Sequence, residues 1–182
     1  MLETSYTIDK FTILNVVNAE PMDALSLSDR LREHDLLEVQ SMGKTPLQSL
    51  MSAFELIDSE VYSIIEIKFK EEKGNVVFKE SKVIAMFGVN QCPHLSNYGV
   101  AWMLSSCDLE KYSKPFLRYC RKWIQKIQQK YEVLYNLVHC QNAQGIRWLQ
   151  WCGFDIKTSK TYGVNGEDFY LFIREKKQCV TQ

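Results

Sequence analysis

The sequence lacks a surplus of either charge, because 22 lysine and arginine residues balance 22 aspartate and glutamate residues among 182 positions. Without net charge, the molecule has no overall field that attracts polyanions, which argues against a dedicated nucleic-acid-binding protein. The chain also lacks an apolar run near the roughly 20 residues that cross a bilayer, and its first residues do not show the pattern of a signal peptide. We therefore expect a single globular domain over residues 1–176 and a frayed tail over residues 177–182.

Paired cysteine motifs are missing as well, since the six cysteines show no CxxC spacing. Isolated cysteines in a reducing compartment usually behave as small buried hydrophobes. Cys92 and His94 offer two metal ligands, but no second pair stands at the spacing of a zinc finger, so no metal site is expected. His139 and Cys140 are neighbours on a predicted strand. Their side chains therefore point to opposite faces, and this pair alone cannot form a Cys–His nucleophile.

The sequence does contain an alternation of strand-like and helix-like segments. Apolar and β-branched runs predict strands at residues 11–18, 61–69, 76–89 (one or two strands), 99–106, 134–140, 154–162 and 169–174. Helical periodicity predicts helices at residues 29–42, 46–57, 113–131 and 143–152, the first capped by Ser28 and the second by Thr45. Gly43 is expected at a helix C-terminus with positive φ, and residues 90–99 are expected to form a polar loop.

Strands alternate with helices only in the second half. The order therefore predicts an α/β fold whose mixed sheet has about seven strands and four helices, antiparallel early and parallel in the middle.

The segment NAQGIRWLQWCGF at residues 142–154 resembles the N-acetyltransferase motif N-x-x-A-x-x-x-Y-x-x-x-G-F. Asn142 takes the helix-capping position and the small Gly145 takes the alanine position, where it allows close packing. Gly153 and Phe154 form the terminal pair, in which the glycine turns the chain into the next strand. Together with the order of elements, this resemblance implies the GNAT fold, that of the acyl-CoA N-acyltransferases.

A longer stretch is similar to the GNAT-like internal virion proteins of short-tailed phages. The shared pieces are a tryptophan-bearing strand that ends in serine, a basic helix, and the patterns KY-x-x-L-x-N-x-V and N-x-x-x-I-R-[WF]-L at residues 130–138 and 142–149. This resemblance implies a phage virion or virion-associated structural protein, located in the virion or the host cytoplasm. The partners that it implies are other virion proteins of the portal or internal core.

Two departures bear on whether such a protein transfers acetyl groups. No glycine stands between Gly99 and Gly145, so the loop Q/R-x-x-G-x-G/A that cradles the CoA diphosphate is missing, and Asp108 and Glu110 bring negative charge there. Leu149 occupies the position at which many GNAT enzymes carry a tyrosine as general acid. These departures favour a non-enzymatic virion protein without a cofactor. The alternative is an acetyl-CoA-dependent N-acetyltransferase that acts on an amine or a host protein.

Two sets of residues are candidates for binding. If acetyl-CoA binds, the resemblance places it against the end of the central strand and the starts of the two following helices, at Met103, Leu104, Ser105, Ser106, Ser113 and Asn142. The long basic helix carries a positive row that is either a solvated face or a surface for weak contact with DNA or an acidic partner. This row comprises Lys114, Arg118, Arg121, Lys122, Lys126 and Lys130.

One acidic cluster also stands out. Arg32, Asp35 and Glu38 stand three residues apart on a predicted helix. A pair of catalytic carboxylates is one interpretation of this spacing. A ladder of surface ion pairs is the favoured interpretation, because residues three and four apart are neighbours on a helix surface.

Overall fold

The computed structural model describes residues 4–56 and 58–176. In this part of the chain the α-helices are α1 (Pro21–Ser28), α2 (Glu33–Ser41), α3 (Pro46–Glu55), α4 (Ser113–Gln128) and α5 (Ala143–Trp151). The strands are β1 (Ser5–Asp9), β2 (Thr12–Asn18), β3 (Glu60–Glu72), β4 (Asn75–Cys92), β5 (Leu95–Ser105), β6 (Val133–His139), β7 (Asp155–Tyr162) and β8 (Glu167–Glu175). A 3-10 helix over Cys107–Tyr112 leads directly into α4.

All of these strands form one sheet in the order β1-β2-β3-β4-β5-β6-β8-β7. Neighbouring strands are antiparallel, except for β5 and β6, which are parallel. The predicted α/β fold with a mixed sheet and a parallel pair in the middle is confirmed. The count was too low, because the described residues form eight strands and five α-helices. The predicted tail at 177–182 lies outside the described residues.

Helices cover both faces of the sheet. On one face, α4 and α5 bury Trp123, Ile127 and Leu149 in the larger hydrophobic core. On the other face, α1 and α3 bury Leu27 and Leu50 in a second core, and both side chains are fully inaccessible. None of these helices combines the length and the apolar character that crossing a bilayer requires, as far as the described residues extend.

Local capping signals place α3 where the sequence predicts it. The Thr45 hydroxyl accepts a hydrogen bond from the backbone N–H of Gln48, and the Gln48 side chain accepts one from the N–H of Thr45. Pro46 occupies the first turn, where its missing N–H costs nothing. Gly43 adopts the predicted positive φ, at 70°. Both predictions at this boundary are confirmed.

The predicted helix at residues 29–42 is wrong in its first part. Ser28 ends α1, a helix that the sequence analysis missed, and its hydroxyl donates to the Leu25 carbonyl. Residues 29–32 are not helical, because Leu31 pairs with Ser106 and the Arg32 N–H donates to the Ser105 carbonyl. Pairing with the end of β5 therefore overrides the local helical pattern, and α2 begins only at Glu33.

The predicted loop at residues 90–99 is also wrong, since β4 and β5 continue almost to their connecting turn at residues 93–94. The polar residue Asn90 is buried on β4 because its amide donates to the Ser59 hydroxyl and to the Ala53 carbonyl. A polar side chain with such partners fits the interior of a sheet.

Candidate functional site

The sheet splits between β5 and β6. Within the described residues, these strands pair at three positions only, which join Tyr98 to Val133, Gly99 to Leu134 and Val100 to Tyr135. Beyond this seam the strands diverge, although β5 continues to Ser105 and β6 to His139. The split therefore exposes two strand edges whose backbone groups do not pair with each other.

A cavity of about 670 Å³ runs through this split and is lined from both faces of the sheet. On the face of α4 and α5 its walls include Phe116 and Trp148, whose rings stack with centroids 5.6 Å apart. On the opposite face its walls include Glu38, Val39 and Tyr162. A molecule in the split would therefore contact residues from both sides of the sheet.

Helix α2 crosses the open end of the split and contacts both strands through carboxylates. Asp35 is buried, and one of its oxygens accepts hydrogen bonds from the Ser105 N–H at 2.7 Å and the Ser105 hydroxyl at 3.1 Å. Its other oxygen pairs with the Arg32 guanidinium at 2.8 Å. One turn later, a single Glu38 oxygen accepts from the His139 N–H at 3.1 Å and from the Asn142 amide at 2.8 Å. Asp35 thus holds β5, and Glu38 holds β6 and the start of α5.

The environment of Glu38 favours its protonated form. Burial raises the pKa of the Glu38 carboxyl to about 7, with a smaller contribution from the nearby Asp35 carboxylate. The hydrogen bonds from Asn142 and His139 and the charge of Arg32 act in the opposite direction and are outweighed. A carboxyl that titrates near neutral pH is suited to acid–base catalysis.

This arrangement corrects the interpretation of the acidic cluster. Arg32, Asp35 and Glu38 were expected to form a surface ladder of ion pairs. The Arg32–Asp35 pair forms, but its location at the surface is wrong, and Glu38 bonds to His139 and Asn142 instead of extending the ladder. The side chain of Asp35 is 2% exposed and that of Arg32 is 19% exposed. Their partners Ser105 and His139 are distant in the sequence, so no local pattern reveals this burial.

Five of the six predicted cofactor contacts, Met103, Leu104, Ser105, Ser113 and Asn142, line the cavity. Ser106 instead caps the 3-10 helix, where its hydroxyl accepts from the Asp108 N–H and donates to the Ile84 carbonyl. The Ser113 N–H is occupied, because it donates to the Glu110 carbonyl. The Ser105 N–H is likewise occupied by Asp35. Ser105 and Ser113 therefore reach the cavity without a free backbone donor.

The segment after β5 contains no glycine loop and folds as the 3-10 helix. Of the two acidic residues predicted to bring negative charge here, Asp108 is neutralised, because its carboxylate lies 2.6 Å from both Lys82 and Lys111 and 3.7 Å from Arg30. Glu110 is exposed and lines the cavity, so the prediction stands for that residue. Hydrogen bonds from Lys111 and Lys82 lower the pKa of Asp108 to about 2. Its charge is thus neutralised by three cations of the protein itself.

The groove between α4 and α5 supplies a different cation. Arg147 is exposed on α5 and lines the cavity, together with Gln144 and Ser113. The guanidinium of Arg147 makes no ion pair or hydrogen bond with any described residue. Leu149 is buried at the predicted tyrosine position, so no proton donor stands at that point of α5.

The basic row on α4 faces solvent for most of its length. Arg121 stacks on Trp151 with its guanidinium carbon 4.0 Å from the ring centroid, and Lys126 lies 4.6 Å from the ring centroid of Tyr62. Lys130 pairs with Asp58 at 3.6 Å. The other members, Lys114, Arg118 and Lys122, are exposed. Binding of DNA or an acidic partner by this row stays a prediction.

The described residues contain no cluster of three potential metal ligands. Cys92 is buried and accepts a hydrogen bond from the Tyr135 hydroxyl. His139 is buried with its ring edge-to-face against Phe169, and its Nδ1 accepts a hydrogen bond from the Gln141 N–H.

No protein-family model matches the sequence, and no curated protein matches it either. Solved structures do match the fold. The Escherichia coli ribosomal-protein-S18-alanine N-acetyltransferase is 12% identical, with a TM-score of 0.59 over 93% of this chain and 97% of that one. A GCN5-related N-acetyltransferase from Kribbella flavida is 14% identical, with a TM-score of 0.60 over 90% and 98% of the two chains. The protein yncA from Salmonella typhimurium, solved with its cofactor acetyl-CoA, is 13% identical, with a TM-score of 0.59 over 93% and 98%.

These matches correct the functional expectation from the sequence. The prediction of a virion structural protein is wrong, because the similar structures are those of acetyltransferases and none of the comparisons indicates a phage protein. They favour the alternative drawn from the same motif. At these identities the likeness establishes architecture, and the chain has the GNAT fold.

Proposed function

We propose that this protein is an N-acetyltransferase that binds acetyl-CoA in the split between β5 and β6. The observation that supports the proposal is the cavity between β5 and β6, whose lining comes from both faces of the sheet. Such a cavity would let a thioester lie against one face and an amine against the other, which holds the two reactants together.

The residues of the α4–α5 face fit an acyl-CoA. The stacked rings of Phe116 and Trp148, with Met103, offer an apolar wall to the acyl and pantetheine chain. The diphosphate would have to be held by side chains, because the first N–H groups of the 3-10 helix and the Ser113 N–H are already bonded. Arg147 is the cation suited to this role, since a guanidinium without a protein partner can form charge-assisted hydrogen bonds with phosphate oxygens.

Thermal unfolding with acetyl-CoA tests the proposal. Ligand at about 100 times its dissociation constant stabilises a protein by about 2.7 kcal/mol, which at this size raises Tm by roughly 5–10 °C. In a parallel assay, the protein is expected to release the CoA thiol from acetyl-CoA when primary amines from a test panel are supplied. The absence of any stabilisation at millimolar acetyl-CoA would contradict the proposal.

Arg147→Ala is expected to weaken acetyl-CoA binding about tenfold, or about 1.4 kcal/mol, because it removes the cation at the diphosphate. Arg118→Ala is the matched control, since Arg118 is exposed on α4 and does not line the cavity. Titration calorimetry of both variants measures the difference. Equal affinities for the two variants would remove Arg147 from the site.

A further inference from the structure

Two buried cysteines meet between α4 and α5. Cys120 lies on α4 and is 6% exposed, and Cys152 directly follows α5 and is 4% exposed. Their sulfur atoms lie 3.6 Å apart, within reach of a thiol–thiol hydrogen bond, although 32 positions separate the two residues in the sequence. No other two cysteines in the described part of the chain make such a contact. The fold therefore creates a dithiol pair that no CxxC motif announces.

Contacts on both sides of this pair join the same two helices. The Nε of Arg121 donates to the Trp151 carbonyl at 2.7 Å, and the guanidinium carbon lies 4.0 Å from the ring centroid of Trp151. One turn earlier on each helix, Phe116 and Trp148 stack with ring centroids 5.6 Å apart. An S–S bond is about 2.05 Å long, so the two sulfurs have to approach by only about 1.5 Å. The thiols are thus held as neighbours, which favours a reaction between them.

The two thiols differ in access and in acidity. Buried cysteines are usually inert, but Cys120 lines the cavity, whereas Cys152 does not. A hydrogen bond from the Cys152 thiol lowers the pKa of Cys120 against the effect of burial, and the charge of Arg121 acts in the same direction as the hydrogen bond. The hydrogen bond with Cys120 and burial both raise the pKa of Cys152. Because the thiolate is the reactive form, a small oxidant in the cavity meets its nucleophile at Cys120, while Cys152 keeps its proton.

We infer that Cys120 and Cys152 form a reversible oxidation site that hydroperoxides convert to a disulfide, which goes beyond the proposed function and does not depend on it. The Cys120 thiolate attacks one peroxide oxygen, the O–O bond breaks, and Cys120 becomes a sulfenic acid while hydroxide leaves. The Cys152 sulfur then bonds to the Cys120 sulfur, the S–O bond breaks, and the Cys152 proton leaves with that oxygen as water. Both thiols are oxidised and the peroxide is reduced to water, since the hydroxide takes up the proton that Cys120 had released. A thiol reductant reverses the bond by exchange.

Peptide mapping of the wild-type chain tests this inference. Protein exposed to hydrogen peroxide is alkylated, digested and analysed by mass spectrometry with and without dithiothreitol. We expect the peptides that contain Cys120 and Cys152 to be linked by a disulfide that dithiothreitol removes. Cys107 is exposed and unpaired with another cysteine, so its oxidation shows that the peroxide dose was sufficient. Oxidation of Cys107 without a link between Cys120 and Cys152 would overturn the inference.

Substitutions of each cysteine test the order of the two steps. Cys152→Ser removes the second thiol, so Cys120 should retain a sulfenic acid, which dimedone labels. Cys120→Ser should leave Cys152 without the label. Cys107→Ser is the matched control and should form the disulfide as the wild-type chain does. Dimedone on Cys152 in Cys120→Ser, with none on Cys120 in Cys152→Ser, would contradict the assigned order, and the wild-type mapping decides the matter where a variant does not fold.

Thermal unfolding gives a readout of the closed form. The disulfide encloses β6 and α5 in one loop, and the constraint on the unfolded chain is expected to raise Tm by roughly 5–15 °C. Dithiothreitol should reverse this shift, and peroxide-treated Cys152→Ser should not show it. A linked protein with a lowered Tm would show that the sulfurs are not held for bond formation, and would contradict the inference. These measurements use no acetyl-CoA, so their failure is distinct from a failure of the proposed function.

Discussion

At the scale of single residues, the raised pKa of Glu38 lowers the stability of the folded protein at neutral pH. Because the folded state holds its proton up to about pH 7 and the unfolded chain releases it near 4.5, the folded protein binds more protons between these values. The free energy of unfolding therefore falls as pH rises through this window. Below about pH 4.5 both states are protonated, and the effect disappears.

Glu38→Gln is expected to remove this pH-dependent loss. The stability of the variant relative to wild type should increase from pH 4.5 to pH 8 by at most about 3 kcal/mol, since a tenfold change in proton affinity corresponds to about 1.4 kcal/mol. Urea unfolding across this range measures the difference. Glu72→Gln, at an exposed site on β3, should show no such trend. A constant difference between Glu38→Gln and wild type across the range would contradict the raised pKa.

Asp35 shows what a buried carboxylate contributes to the fold. Asp35→Ala would leave the half-buried Arg32 without its ion-pair partner and the buried Ser105 N–H without an acceptor. We expect a loss of roughly 3 kcal/mol in the free energy of unfolding. The matched control is Glu72→Ala, whose exposed ion pair with Lys70 should be worth less than about 1 kcal/mol. Similar losses in the two variants, measured by urea unfolding, would show that Asp35 is not fixed as described.

At the scale of elements, the seam between β5 and β6 depends on Gly99. A Cβ at this position would lie 2.7 Å from both Tyr131 and Val89 and 2.9 Å from Leu134. All three neighbours are buried, so none can move away freely. Gly99→Ala should therefore destabilise the protein by roughly 1–3 kcal/mol. Thermal unfolding checks this, with the exposed Ser81→Ala on β4 as a control that should stay near wild type.

Elements whose signals are local could be predicted from the sequence. The reciprocal cap of Thr45 and Gln48 defines the start of α3, and the Asn142 side chain, which accepts from the Gly145 N–H, defines that of α5. The start of α2 could not be predicted, because Leu31 and Arg32 are held by Ser106 and Ser105, at and just beyond the end of β5 and more than 70 positions away. The same reason hid the candidate site. Spacing alone cannot distinguish a half-buried Glu38 from a fully exposed one, since its partners His139 and Asn142 come from another part of the sheet.

At the scale of the whole molecule, the N-acetyltransferase motif led to the correct architecture, and the missing glycines led to the wrong function. Without those glycines the segment after β5 folds as a 3-10 helix whose Asp108 is neutralised by lysines. This segment forms one wall of the split, and a cavity is still present between β5 and β6. The exposed Arg147 in the groove between α4 and α5 provides positive charge that a search for glycines does not detect.

The three-residue seam divides the sheet into a half formed by β1–β5 and a half formed by β6–β8. The halves are joined by the helices that pack across them, by Asp35 and Glu38 of α2, and by the Asn136 amide of β6, which donates to the Ala101 carbonyl of β5 at 3.0 Å. A molecule bound in the split would contact both halves at once and add interactions between them. A ligand in the split is therefore expected to raise the free energy of unfolding and to make the two halves unfold as one cooperative unit.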